Sequence, residues 1–327
     1  MAGLRTLITG GAGFIGSHLG EHLLGQGHDV VALDDLSTGG RENVQHLMAA
    51  HRFRLVVDTV THQPVLDRLV QDADTVYHLA AVVGVQAVIN SPIHTIETNI
   101  MGTAAVLRAC SRLRRRLVLA STSEIYGKSE RVPFSEEDDR LLGPTSRSRW
   151  SYSESKAVDE FLAYAYYKEA QLPVVIVRLF NTIGPRQSGR YGMVVPRMVG
   201  QALAGQPITV YGDGRQTRCF ADVRDVVRGM VALSACPGAY GQAFNLGSTR
   251  EITILDLARL IKSLLDSPSE IVLVPYAEAY DDGFEDTLRR VPDVSKVSAA
   301  IGWQSTTPLE ETILNVASFL RCRPGNP

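Results

Sequence analysis

Gly10-Gly11-Ala12-Gly13-Phe14-Ile15-Gly16 is the stretch on which the fold turns. Gly11, Gly13 and Gly16 satisfy G-x-G-x-x-G, and Gly10 widens the pattern to G-x-x-G-x-x-G. Their place gives the glycines meaning. Leu4 to Thr9 before them is a short apolar run with the look of a buried strand, and Phe14 to Gln26 after them has helix-forming character. Between strand and helix, missing Cβ atoms let the backbone approach a pyrophosphate at the positive end of the helix dipole. Gly10, Gly13, Phe14, Ile15 and Gly16 are therefore expected to touch a dinucleotide.

The same alternation continues outward. Asp29 to Asp34 reads as a second strand, Arg54 to Val57 as a third, Pro64 to Val70 as a helix and Thr75 to Leu79 as a strand. Ile93 to Ser111 follows as helix, Leu117 to Ser121 as strand, Ser153 to Ala170 as a long helix and Pro173 to Phe180 as another buried strand. Repeated βα units imply an α/β fold, a Rossmann-type doubly wound parallel sheet with helices on both faces. From Asn181 to Asp222 the chain is rich in Gly, Pro and Arg, which suggests loops and short elements around a site. Phe244 to Gly247 looks like a return to the sheet, and Ile254 to Leu265 like an amphipathic helix. Residues 1–180, with a return near 222–247, are expected to form the dinucleotide domain, and 181–327 a smaller C-terminal α/β substrate domain.

Asp34 closes the second strand, where a carboxylate can accept hydrogen bonds from both hydroxyls of an adenosine ribose. It would repel a 2′-phosphate, and no arginine adjoins it in sequence, so the expected cofactor is NAD rather than NADP. Asp35 is either a second contact or a solvated loop carboxylate. Asp58, after the third strand, either approaches the adenine edge or is an exposed strand-end Asp.

The 327-residue chain is 45% hydrophobic and 21% charged, enough to bury a sizeable core in one large or two closely joined domains. Its 33 basic and 35 acidic residues nearly cancel, which argues against nucleic acid as the main partner, while a small anion needs only a few local arginines. Cys110, Cys219, Cys236 and Cys322 lie far apart, so neither a metal site nor a disulfide framework is expected, and reduced thiols in the cytoplasm are the default. The first strand leaves no room for a secretory leader, and no apolar run approaches the ~20 residues that span a bilayer.

Tyr152 and Lys156 form Y-x-x-x-K, which on a helix puts both side chains on one face, about a turn apart. The spacing matters because a tyrosine with a pKa of about 10 is a poor base, and a close ammonium favours its phenolate. With these residues in hand a resemblance is plain. TGGAGFIG, HLAA at His78 to Ala81, STSEIYG at Ser121 to Gly127 and YSESK at Tyr152 to Lys156 resemble the extended short-chain dehydrogenase/reductase family. RLFNTIGPR (Arg178 to Arg186), ITVYGDGRQTRCF (Ile208 to Phe220) and RRVPDVSK (Arg289 to Lys296) resemble its nucleotide-sugar epimerases, dehydratases and decarboxylases.

The resemblance implies roles. Thr122 would bond the sugar 4-hydroxyl, Tyr152 take its proton, Lys156 hold the nicotinamide ribose, and the C4 hydride go to NAD. Leu79, Ala80, Ala81 and Asn99 would lie along the cofactor, and Asn181, Arg218 and Arg290 would contact the substrate diphosphate. Val210-Tyr211-Gly212 favours uridine, with Tyr211 at the nucleotide. The family also implies a homodimer packed through Ile93 to Ser111 and Ser153 to Ala170.

Dehydratases of the family carry Asp-Glu after the Thr, where this chain has Ser123-Glu124, which counts against dehydration. Thr-Ser-Glu resembles the UDP-glucuronate decarboxylases, but these place an arginine where an ungapped reading finds Met193. The first expectation is thus C4 epimerisation of a UDP-sugar, UDP-glucuronate to UDP-galacturonate. UDP-glucose 4-epimerisation and UDP-glucuronate decarboxylation stand as alternatives. Arg190 is expected to pair with a C6 carboxylate, or else is a solvated loop arginine. Glu124 either moves a proton or hydrogen-bonds its loop, and Arg147, Arg149 and Trp150 lie either against substrate or at the surface.

Overall fold

The computed structural model describes residues 3–84, 91–189, 193–279 and 287–322. Its first half runs β1 (Arg5–Thr9), α1 (Phe14–Gly25), β2 (Asp29–Asp34), β3 (Phe53–Val57), α2 (Gln63–Asp72), β4 (Thr75–His78), α3 (Pro92–Leu113), β5 (Arg116–Thr122), α4 (Ser151–Ala170) and β6 (Val174–Leu179). Each begins and ends within two residues of the sequence reading. The second half runs β7 (Thr182–Ile183), α5 (Val194–Leu203), β8 (Ile208–Tyr211), β9 (Thr217–Cys219), β10 (Ala221–Asp222), α6 (Val223–Ser234), β11 (Gln242–Leu246), β12 (Glu251–Thr253), α7 (Ile254–Leu264), β13 (Ile271–Val274), α8 (Tyr276–Ala279), α9 (Ser295–Ile301) and α10 (Leu309–Arg321).

Seven strands form one parallel sheet in the order β11-β6-β5-β4-β1-β2-β3. The chain builds β1, β2 and β3 toward one edge, then crosses back to lay β4 on the other side of β1. Between β1 and β4 the order reverses, and there the loops leaving the strand ends diverge and open a crevice. One face is covered by α1 and α6, through Leu19, Leu23, Val226 and Met230. The other is covered by α2, α3 and α4, through Leu66, Val106, Leu107 and Ala163. Burial on both faces explains why the central strands are apolar without alternation.

A separate core joins α5, β8, α7 and α10 through Val195, Met198, Val210, Leu257, Ile261 and Ile313. Segment 181–222, read from sequence as loops and short elements, contains four short strands and α5. These strands pair in twos with partners near or far in sequence, β7 with β10, β8 with β13 and β9 with β12.

A buried ionic group fixes α4 against the sheet. Glu160 accepts from Arg178 Nη2 at 2.8 Å and from the Ser121 hydroxyl at 2.5 Å, while Arg178 Nη1 reaches the Tyr126 hydroxyl at 3.0 Å. Helix, β5 and β6 are thereby locked in register. On the outer faces of α3 and α4, Ile93 (72% exposed), Met101 (63%) and Phe161 (66%) leave large apolar side chains uncovered. The four cysteines are free. Among the described residues no helix is long and apolar enough to cross a membrane, and no group of three or more His, Cys, Asp or Glu is placed to hold a metal.

Candidate active site

The crevice at the strand reversal opens into a cavity of about 510 Å³. Gly10 adopts φ +70°, which turns the chain sharply out of β1, and its N–H donates to the Leu33 carbonyl at 2.8 Å. A Cβ on Gly16 would stand 2.1 Å from the Gly10 carbonyl oxygen. Only glycine lets α1 begin so close to the strand end. The sole near contact of a Cβ on Gly13 would be that same oxygen, at 3.1 Å. Gly10, Gly13, Phe14, Ile15 and Gly16 all line the cavity.

Asp34 is nearly buried beneath the turn, where its carboxylate accepts the Ala12 N–H at 2.9 Å and the Leu36 N–H at 2.8 Å. Burial pushes its carboxyl up from the ordinary range, and the backbone donors oppose that shift. Asp35, whose Oδ1 accepts from the Ser37 N–H and hydroxyl, lines the same cavity, as does Asp58. Asp58 bonds the Thr59 N–H and, at 2.8 Å, His62 Nδ1, which holds its carboxyl below the usual range. Leu79, Ala80 and Ala81 form the opposite wall. A glycine-lined helix terminus for the pyrophosphate and a carboxylate for the ribose fit NAD.

Asn99 is fully buried behind the wall, where its Oδ1 accepts the Val82 N–H at 2.8 Å and its amide bonds Ser155. From there it ties the loop after β4 to α3 and α4. An arginine does reach the cavity, from far along the chain: Arg186 lines it, with its guanidinium engaged by Glu21 Oε2 at 2.6 Å and by His18.

A second cavity of about 360 Å³ adjoins the first, and Tyr152, in the first turn of α4, lines both. Its phenol is hydrogen-bonded to Thr122 at the end of β5. The Thr122 hydroxyl also accepts the Glu124 N–H at 3.2 Å, so the chain leaving β5 is folded back toward α4. Ser153 strengthens that contact by donating to the Glu124 carbonyl at 2.8 Å. Burial pushes the Tyr152 phenol up, the carboxylates of Glu124 and Asp159 add to the shift, and the Thr122 hydrogen bond and Arg149 oppose it. Lys156 lines the first cavity one turn along, its ammonium 2.8 Å from Asp159 Oδ2.

Thr122, Ser123 and Glu124 wall the second cavity together with Asn181, Tyr211, Arg218 and Arg290. The Asn181 amide donates to the Cys219 carbonyl at 3.1 Å, and Arg218 is steadied by the Thr217 and Thr287 carbonyls at 2.7 and 2.8 Å. Arg197, which the sequence reading did not single out, lies over the Tyr211 ring at 4.3 Å. Arg149 and Trp150 are buried and Arg147 is exposed, which divides a trio that sequence left open. Arg149 lines the cavity and pairs with Glu124, and Arg290 Nη1 lies 3.5 Å from the other Glu124 oxygen. Burial alone would raise the Glu124 carboxyl, but Arg149 and Arg290 outweigh it and hold it at about 2. Arg190 lies outside the described residues.

A dinucleotide crevice and a polar second cavity that meet at a Y-x-x-x-K tyrosine define an extended short-chain dehydrogenase/reductase. The chain belongs to the GDP-mannose 4,6 dehydratase family, whose model matches residues 7–316. It is 40% identical over 318 residues to a UDP-N-acetyl-alpha-D-glucosaminuronate decarboxylase of Bacillus cytotoxicus, covering 97% of this chain and 98% of the relative. It is also 40% identical over 317 residues to UDP-glucuronic acid decarboxylase 1 of Xenopus tropicalis, covering 97% of this chain and 72% of that one. The fold is similar to UDP-glucuronic acid 4-epimerase from Bacillus cereus, solved with UDP-glucuronic acid and NAD. That match has a TM-score of 0.86 and 29% identity, over 97% of this chain and 99% of the other.

Asp34→Ala is expected to weaken NAD binding by roughly tenfold or more, since a hydrogen bond to a charged group is worth about 1.5 kcal/mol or above, and to narrow the preference over NADP. Calorimetric titration with both dinucleotides measures this, and an unaltered NAD affinity would contradict the assignment.

Proposed function

We propose that the protein is an NAD-dependent UDP-uronate decarboxylase, which oxidises a UDP-hexuronate at C4, releases its C6 carboxylate as carbon dioxide and reduces C4 again to give a UDP-pentose. The observation that carries this reading is Glu124, held ionised between Arg149 and Arg290 on the wall that Tyr152 faces, in a chain whose 40%-identical relatives are uronate decarboxylases along almost its whole length. Epimerisation, the first expectation from sequence, falls to second place. Its advantage lay in Met193 standing where decarboxylases have an arginine. Met193 lines both cavities, yet Arg149, Arg218 and Arg290 bring three guanidinium groups to the second one from other elements. The fold likeness to a UDP-glucuronic acid 4-epimerase keeps epimerisation as the alternative.

Bound NAD supplies the hydride acceptor for C4 and later gives the hydride back. The chain's own groups do the rest. Thr122 and Tyr152 receive the 4-hydroxyl, and Tyr152, reacting as its phenolate, takes the proton as C4 becomes a ketone. The sugar is then a β-keto acid. Its C5–C6 bond breaks, carbon dioxide leaves, and the electron pair moves into an enolate whose oxygen at C4 is met by the Tyr152 and Thr122 hydroxyls. C5 takes up a proton, and Tyr152 returns its proton to O4 as C4 is reduced. The sum is one UDP-hexuronate and one proton going to one UDP-pentose and carbon dioxide, with no net consumption of NAD. Arg290, expected from the family resemblance at the diphosphate, is assigned here with Arg149 to the carboxylate end of the sugar, and Glu124 keeps the pair aligned when the sugar is absent.

Purified enzyme incubated with UDP-glucuronate and NAD should produce a new pentose anomeric signal in proton NMR, together with carbon dioxide. A galacturonate signal without gas would favour the epimerase. If UDP-glucuronate is inert, UDP-N-acetylglucosaminuronate is the second substrate to test, and failure with both overturns the reading.

The working unit is proposed to be a homodimer in which the uncovered apolar faces of α3 and α4 pack against those of a second copy. Sedimentation should return twice the 35.6 kDa chain mass, and a mass of one chain would refute it.

A further inference from the structure

Asp159 is a fully buried carboxylate that the mechanism above does not use. Tyr152, Lys156 and Asp159 stand at positions i, i+4 and i+7 of α4, so the three project from one face of the helix. The Lys156 ammonium lies 2.8 Å from Asp159 Oδ2, with side-chain exposures of 4% and 0%. An ammonium so deeply buried beneath the cofactor cavity would be an uncompensated charge without that partner.

Among the described residues, the cation paired with Asp159 is Lys156. Thr103 of α3 lies beside the carboxylate and lowers its pKa, Asp159 Oδ1 has no hydrogen-bond partner among the described residues, and the Thr103 hydroxyl lies 3.1 Å from His78 Nε2, whose Nδ1 is 2.7 Å from the Thr9 hydroxyl of β1. His78 is held neutral, since burial and then the Lys156 charge lower it to about 3. Glu160, the adjoining carboxylate, is spent on Arg178 and Ser121. On the side toward the reacting centre stands Tyr152, whose phenol the Asp159 charge pushes up. Burial pushes the Asp159 carboxyl itself up, and Lys156 pulls it back.

We infer that Asp159 is a positioning residue of the catalytic pair: it anchors the Lys156 ammonium at the floor of the cofactor cavity and offsets the positive charge that Tyr152 experiences. The ammonium has three donors, so one bond to Asp159 leaves two for ribose hydroxyls and the cavity. Because the Asp159 carboxylate pushes the Tyr152 phenol up, Tyr152 is kept protonated to a higher pH than it would be beside an uncharged residue 159. The inference rests on Tyr152 and Lys156 as the reacting pair, and holds for decarboxylation and epimerisation alike.

Asp159→Asn keeps the shape and a hydrogen-bond acceptor for Lys156 but removes the charge. With UDP-glucuronate and NAD, the acidic limb of its kcat/KM profile should move to lower pH by about one unit, the low end of what a single neighbouring charge does. A substrate-free measurement accompanies it. In protein labelled at tyrosine, the ring-carbon NMR signal that disappears in Tyr152→Phe should begin its phenolate shift at lower pH in Asp159→Asn than in the parent. If the amide variant does not fold, as judged by its melting transition, Asp159→Ser serves as the second uncharged variant. A folded variant whose profile and Tyr152 titration overlay the parent's, or move upward, overturns the inference. Failure of the underlying reading shows separately, as full turnover by Tyr152→Phe.

Discussion

The constraint on which the cofactor cavity depends is the approach of α1 to the end of β1, where a Cβ on Gly16 would come within 2.1 Å of the Gly10 carbonyl oxygen. With nothing there, the helix starts directly beneath the point where strand order reverses, and its unpaired N–H groups face the crevice. Everything about the cofactor cavity follows from that placement. Asp34 ends the neighbouring strand at the height of the turn and accepts the Ala12 N–H. The loop after β4 forms the facing wall, steadied from behind by Asn99. One set of backbone positions thus makes the phosphate seat and orients the ribose carboxylate.

The second constraint is electrostatic and acts on α4. The helix carries Tyr152 and Lys156 in its first two turns and Glu160 a turn later, and the buried Glu160–Arg178 pair ties it to β5 and β6. A buried ion pair is weak evidence for stability, but it is demanding about geometry. Here it holds Tyr152 on the wall shared by both cavities, beside Thr122. The remaining buried charges extend the same arrangement. Lys156 with Asp159 lies on the dinucleotide side, and Glu124 with Arg149 and Arg290 on the sugar side. A sugar bound between them has its C4 at the tyrosine and its carboxylate toward guanidinium groups, which is the alignment that loss of carbon dioxide from a β-keto acid needs.

Much of this was legible because it is local. Strand β2 over Asp29–Asp34 and helix α1 from Phe14 are set by runs of neighbouring residues, and the glycine turn by spacing within seven positions. The Y-x-x-x-K pair was legible for the same reason. What escaped is non-local. Segment 181–222 hid short strands because β8 pairs with β13 and β9 with β12, partners that no nearby pattern announces. Arg149 could not be separated from Arg147 in sequence, since helical phase had not begun and only the fold buries one and exposes the other. The bonds of Asn99 to Val82 and Ser155, behind the wall of the cavity, are likewise set by the fold and not by nearby sequence. Asp159 carried no signal of its own beyond lying on the face of Tyr152 and Lys156.

The claim on which the account rests is that, while a single tyrosine at the junction of two cavities moves the O4 proton, C4 gives its hydride to bound NAD and later takes the same hydride back. UDP-glucuronate deuterated at C4 tests it most directly when turned over in ordinary water with a catalytic amount of NAD. The UDP-pentose should retain its deuterium at C4, because the hydride never leaves the enzyme between the two steps. A product carrying ordinary hydrogen at C4, with the label lost to solvent or to free dinucleotide, would contradict the account.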